Sequence, residues 1–167
     1  DLQSIDLFTF GQGPGSYTSI RSVATFLKAI ALIHQKPLIP LSNLECIAYG
    51  HSLLYKNDSI IHSAISSDID SEIYYSSYEL KNSLLTPLSH EAILARDDLD
   101  SIFVSKRDEI FVGNGWTDLP DSKKKTSDAS TMIELAMARY SASEEYNPND
   151  ANPVYLKDTS YKKLNDQ

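Results

Sequence analysis

Residues 11–48 read GQGPGSYTSIRSVATFLKAIALIHQKPLIPLSNLECIA, and the succession of element types in and around this stretch decides the fold class. Just upstream, Ile5, Leu7, Phe8 and Phe10 have the apolar density of a buried strand. Three glycines and a proline then predict that the strand stops at Gly11, because glycine weakens a ladder and proline cannot donate to it. Ser16 and Thr18 offer caps for a helix over 19–34, a run free of Gly and Pro. Its apolar residues Ile20, Val23, Ala24, Phe26, Leu27, Ile30, Ala31 and Ile33 cover more than one stripe, so this helix is expected to pack on its own sheet and on something else. Lys36-Pro37 ends it, residues 38–41 form a short strand, and Ser42 caps a second helix with Leu44, Ile47 and Ala48 on one face. Strand, glycine turn, helix, strand, helix is the rhythm of a parallel α/β layer.

Beyond the polar break Lys56-Asn57-Asp58 the pattern changes. Residues 60–65 and 73–80 read as neighbouring strands joined by a polar turn, with 84–88 a third, which predicts an antiparallel meander. Asp97 is placed to cap a helix through Leu99, Ile102 and Phe103. Residues 109–112 form a strand running into Gly113-Asn114-Gly115, and Ser127 or Asp128 caps a helix through Ile133, Leu135, Ala136 and Ala138. The tail over 153–164 is expected to be a strap anchored by Tyr155 and Leu156. The division is therefore a first unit over 1–58 and a second, mixed-sheet unit with the strap over 59–167.

Composition narrows the function. A chain of 167 residues builds a core without staples, and the single cysteine, Cys46, builds neither a disulfide framework nor a cysteine-rich zinc site. With no apolar run near the roughly 20 residues of a membrane span and no charged-then-apolar leader, the expectation is a soluble cytoplasmic protein. Residues 1–66 balance four basic against four acidic side chains, so the net charge of −8 belongs to the remainder. The one basic run, Lys123-Lys124-Lys125, sits among acids, which disfavours direct nucleic-acid docking.

The glycine loop ahead of a helix invites a phosphate reading, but it lacks the lysine and spacing of a P-loop, and Pro14 removes an amide donor. Arg21, one turn further, reads equally as a charge for an anion or partner carboxylate and as a surface arginine. His34, His51, His62 and His90 never recur at helical metal-ligand spacing. Cys46 reads as a small core residue, no serine sits in a nucleophile elbow, and Asp68, Asp70 and Glu72 read as a solvated turn. Trp116 reads as an exposed contact or as a lid over the core.

The stretch over 11–48 resembles the hallmark segment of the TsaB (YeaZ) family, close to GPGSFTGLR, then PL and SSLEALA. The matching residues are Gly13-Pro14-Gly15-Ser16, Thr18, Arg21, Lys28, Ala31, Pro37-Leu38, Ser42, Leu44-Glu45 and Ala48. Glu72-Ile73-Tyr74 is similar to the family's GEVY strand and Phe111-Val112-Gly113-Asn114-Gly115 to its VGDG turn. Pro153-Val154-Tyr155-Leu156-Lys157 and Lys162-Lys163-Leu164 are similar to its PVYLR and KKL ending.

The resemblance implies an α/β, actin-like ATPase fold of two ribonuclease-H-like halves. It also implies a noncatalytic subunit that pairs with a TsaD paralogue and a TsaE ATPase to install threonylcarbamoyl on adenosine beside the tRNA anticodon. Tyr17, Arg21, Ala24, Lys28 and Ala31 are then the expected partner-binding residues, with a second copy of the chain as the other possible occupant. RNA is reached only through the partner, no catalytic, metal or cofactor residue is assigned, and ATP enters only at the level of the complex. The alternatives are a glycoprotease-like metallohydrolase and a self-associating degenerate paralogue. The chain departs from the family at Ser19, Val23 and Ala29, where glycines are usual, and over 67–74, where DARRGEVY loses its leading Asp and both arginines. Family members begin with a β-meander and a helix, so roughly sixty residues are expected ahead of Asp1, leaving the first half without its N-terminal strands.

Overall fold

The computed structural model of the chain describes residues 2–54, 58–120, 123–142 and 145–157. Lys56 and Asn57 of the polar break, and the Lys162-Lys163-Leu164 ending, lie outside the described residues.

The first layer is β1 (Phe8–Gly13), α1 (Tyr17–His34), β2 (Leu38–Ser42) and α2 (Asn43–Leu54). β1 and β2 pair in parallel, as a crossover helix requires. In β2, Leu38 and Ile39 point to opposite faces and are both wholly buried, so the small sheet is covered on each side. On one face, Ala24, Ala31 and Leu27 of α1 pack on Phe10, Phe8 and Leu38. The other face carries Ile39 and Leu41 against Cys46 of α2 and Leu135 and Ala136 of α4 (Ala129–Ser141).

One expectation about this layer fails. β1 does not stop at Gly11 but runs to Gly13, with Gly11 opposite Leu41, Gly13 opposite Ser42 and a register shift between them. The bulge takes up Gln12, whose carbonyl accepts from the Val154 amide at 2.8 Å, and Gly13 sits at φ +128, a conformation glycine tolerates.

The second layer is β3 (Ser59–Ser66), β4 (Glu72–Lys81), β5 (Leu84–Pro87), β6 (Ala92–Ala95), α3 (Arg96–Ser105) and β7 (Ile110–Val112). The sheet runs β5-β4-β3-β7, with β6 pairing β4 beside Glu72 to Tyr75. The β3–β4–β5 meander is as expected, and β7 joins β3 in parallel. β6 is an addition, and it corrects the start of α3. Because β6 runs directly into the helix, Ala95 takes the cap position without a side-chain bond, and Asp97 falls within the first turn. α2 lies between the two sheets, with Ile47 and Ala48 against Ile61, Tyr78, Leu80 and Val112, and the Ser63 hydroxyl donates to the Leu44 carbonyl at 2.8 Å. Trp116 is a lid: it is buried against Phe111, Tyr75 and Phe103, and its indole N–H donates to the Val112 carbonyl.

Two caps behave as expected. Ser42 Oγ accepts from the Glu45 amide, and Asp128 accepts from both the amide (2.9 Å) and the hydroxyl (3.0 Å) of Thr131. The Thr131 amide holds the Asp128 carboxyl below its ordinary pKa, so its contribution is present at neutral pH and fades as pH falls through that depressed value. Asp128→Ala is expected to cost about 1 kcal/mol in urea unfolding at pH 7. At a pH below the depressed carboxyl pKa the same comparison should give a clearly smaller difference; an equal cost at both pH values would refute the carboxylate cap.

Candidate functional site

The candidate surface is built on α1. Its 18 residues carry apolar side chains on two sides, and the sheet uses only one of them. Ala24 (2% exposed) and Ala31 (0%) face the sheet. They were expected on the docking face; the structure places them inside, because small side chains let the helix lie close to β1 and β2. Val23 (45%), Phe26 (64%) and Ile33 (76%) stay in solvent, with Ile30 half-buried between them. Their spacing of three, four and three residues aligns them in one stripe on the outer side of the helix. That stripe was legible in the doubled apolar coverage, but which of the two stripes faces outward depends on the sheet.

The other expected residues lie on the flank of α1 away from the stripe and are engaged within the chain. The Arg21 guanidinium donates to the Tyr17 hydroxyl at 2.7 Å and lies 5.2 Å from the centre of that ring. The Tyr17 ring meets Tyr155 at 4.7 Å between centroids. Lys28 Nζ donates to the Asn149 carbonyl at 3.1 Å and to Asn152 Oδ1 at 2.7 Å. Over the described residues the tail runs as a strap to Lys157, but its buried anchor is Ala151, ahead of the expected span and tucked among Phe10, Ala24, Ala31 and Leu38, while Leu156 is only half-buried. Tyr155 is exposed and meets Tyr17 from outside.

Between the start of α1, the β3–β4 turn and this strap lies a cavity of about 570 Å³, lined by residues 14–18, 66–68, Tyr74 and 154–157. The glycine loop forms one wall. The Pro14 carbonyl accepts from Asn43 Nδ2, and Ser16 Oγ accepts from Ser19 Oγ rather than capping α1. Asp68 and Asp70 lie in an exposed turn, as expected, with Glu72 half-buried where β4 begins, and Asp68 and Glu72 also grip Lys157, at 2.5 and 3.1 Å. Asp70 enters through its carbonyl, which accepts from Arg96 Nε.

Away from this region the interior polar groups of the described residues are mutually satisfied. His62 is held between the Tyr75 hydroxyl on Nδ1 (2.7 Å) and Glu109 on Nε2, and burial draws its pKa below the ordinary value against the opposing influence of Glu109. Ser42 Oγ donates to Glu91, whose carboxyl is raised by burial. Burial, and then Glu45, pushes the Cys46 thiol up to about 12, so it is not a nucleophile at neutral pH. Among the described residues no three His, Cys, Asp or Glu side chains gather to hold a metal ion, and no helix is long and apolar enough to cross a membrane.

Residues 1–126 match the model of the family described as TsaD, tRNA N6-adenosine threonylcarbamoyltransferase. The chain belongs to that family. Its similar curated relatives are TsaB proteins. The tRNA threonylcarbamoyladenosine biosynthesis protein TsaB of Haemophilus influenzae is 26% identical over 98% of this chain and 75% of its own length. That of Escherichia coli is 26% identical over 98% and 76%. YeaZ from Pseudomonas aeruginosa superposes with a TM-score of 0.78 at 24% identity, over 93% of this chain and 76% of that one. A second Pseudomonas aeruginosa structure, described as similar to peptidase YeaZ, gives the same TM-score at 23% identity. These findings place the chain in the TsaB (YeaZ) group of the family, with the actin-like, ribonuclease-H-like fold.

Proposed function

We propose that this chain is a noncatalytic accessory subunit in the installation of threonylcarbamoyl on tRNA adenosine, and that it acts by binding and supporting a TsaD-type partner through the outer stripe of α1. The observation that carries the docking reading is the row of exposed Val23, Phe26 and Ile33 with half-buried Ile30 between them, on a helix whose other apolar side is already packed. A stripe left in water on an otherwise satisfied helix marks a protein–protein contact. The relatives' names supply the pathway. The inert thiol of Cys46 and the paired interior polar groups support a supporting role over a chemical one, and the net charge of −8 favours leaving the RNA to the partner. In this reading 1–58 is a partial first ribonuclease-H-like half and 59–167 the second with its strap, α4 and Ala151 of the second crossing back to cover the first sheet; a TsaE-type ATPase joins at the level of the complex, and the setting is the cytoplasm.

The test uses the cognate TsaD-type protein. Phe26→Glu with Ile33→Glu is expected to weaken the complex by about 100-fold, the scale for losing two central apolar anchors, while leaving the fold intact. Leu84→Glu, an exposed apolar residue on β5, is the control and should bind as the parent does. Unchanged affinity in the double variant would overturn the docking surface. A dimer of this chain that ignores the TsaD-type protein but is broken by the same substitutions would assign the stripe to self-association instead.

A further inference from the structure

The strap does more than trail along the surface. It is held to the first layer by the bond from the Val154 amide to the Gln12 carbonyl at 2.8 Å and by Asn152 under Lys28 at 2.7 Å. It is held to the second layer at its far end by Lys157. The ammonium of Lys157 reaches Asp68 at 2.5 Å and Glu72 at 3.1 Å and stands 5.9 Å from the centre of the Tyr74 ring. Between those two attachments the strap forms one wall of the 570 Å³ cavity.

We infer that residues 152–157 form a strap that closes this cavity and that Lys157 is its salt-sensitive latch. The two attachments differ in kind. The first is a backbone bond beside buried Ala151, which salt leaves alone. The second is an ion pair shared between Asp68 in solvent and the half-buried Glu72, and its exposed Asp68 part weakens when salt shortens the screening length from about 8 Å to about 3 Å. Exposed pairs contribute little individually, which suits a latch that opens and recloses at small cost rather than a permanent staple. Release of Lys157 frees the wall from the β3–β4 turn and uncovers Tyr17, Tyr74 and the first turn of α1, on the flank of the helix away from the Phe26 stripe. The inference stands on the strap's own contacts and is independent of the docking reading.

Hydrogen–deuterium exchange of the full chain tests it. Lys157→Met is expected to speed amide exchange over 152–157 by roughly two- to five-fold, the range for losing an exposed ion pair. Asp68→Asn with Glu72→Gln, which breaks the latch from the other side, should give the same rise. All three substitutions together should add nothing more, as for groups sharing one interaction. In the parent chain 1 M salt should reproduce part of the rise, through the exposed Asp68 pair, and in Lys157→Met it should have no further effect. Amides of β3 should stay as slow as in the parent throughout. Unchanged exchange over 152–157 in Lys157→Met would overturn the latch, as would an equal rise in β3, which would mean general loosening.

Discussion

Ala31→Glu is expected to leave no stably folded protein, with a cooperative thermal transition absent or lowered by tens of degrees. Ala31 has no exposed surface and lies where α1 meets the small parallel sheet, among Phe10, Ala24, Leu38 and Ala151. A glutamate there must bury a carboxylate among those neighbours, or lift α1 off the sheet to reach the groove beside Gln35 and Lys36, or protonate and still bury an unpaired polar head. Each route costs several kcal/mol, against a total stability of about 5–15 kcal/mol for a domain of ordinary size. Phe26→Glu, only about one and a half helical turns away by sequence but turned to solvent, should unfold within a few degrees of the parent, because surface changes outside special features are typically within about 0.5 kcal/mol. Circular dichroism melts of the two variants side by side make the comparison. A soluble Ala31→Glu protein with the parental transition would mean that α1 is not seated on the sheet as described. The consequence for function is direct: loss of a complex in an Ala24 or Ala31 variant reports unfolding, and only Phe26 and its row can report docking.

The same contrast explains what the sequence makes legible. The order of elements in the first layer followed from local signals, since a glycine loop, a Pro-free helix and a Lys-Pro stop each act over a few residues. The apolar coverage of α1 also announced two contacts. What local signals could not settle was which stripe met the sheet. Alanines at 24 and 31 suit close approach to a neighbouring helix and to a sheet equally well, and the choice is made by Phe10 and Leu38, neither of which is near in sequence to both. β6 went unseen because Ala92–Ala95 is four residues long and carries no alternation; it exists because β4 has an open edge to pair with. The return of α4 to the first sheet, through Leu135 and Ala136, is likewise a tertiary choice made across ninety residues or so of intervening chain. The Lys157 latch was hidden for a related reason: Asp68 and Glu72 make an ordinary polar turn until a cation from the far end of the chain arrives.

Gly113→Val is expected to destabilise the chain by more than about 4 kcal/mol, from a backbone conformation L side chains avoid and from overpacking against a rigid neighbour. Gly113 sits at φ +102, and a Cβ there would fall on the Ala64 carbonyl oxygen, well inside van der Waals contact. That carbonyl belongs to β3, in the middle of the sheet, and accepts from the Gly115 amide at 3.0 Å, so it has no room to retreat. At Gly11 a Cβ also meets atoms too closely, but they are the ends of the Asn43 and Met132 side chains, which give way at the cost of the Asn43 bonds to Pro14 and Ser127 rather than of the sheet backbone. Gly11→Ala should therefore cost clearly less than Gly113→Ala, and urea midpoints of the two variants decide it; equal costs would refute the distinction between backbone and side-chain neighbours. The turn also reaches the cavity. Asn114 accepts from the Ser66 amide at 3.1 Å through Oδ1 and from the Ser66 hydroxyl at 2.9 Å through its carbonyl, which fixes the end of β3 two residues before Asp68. A side chain at 113 that displaces this turn thus moves the carboxylate that Lys157 grips, so any folded Gly113→Ala protein should show faster exchange over 152–157 as well as lower stability. A loss of stability with the strap unaffected would separate the two and place the latch outside the reach of the turn.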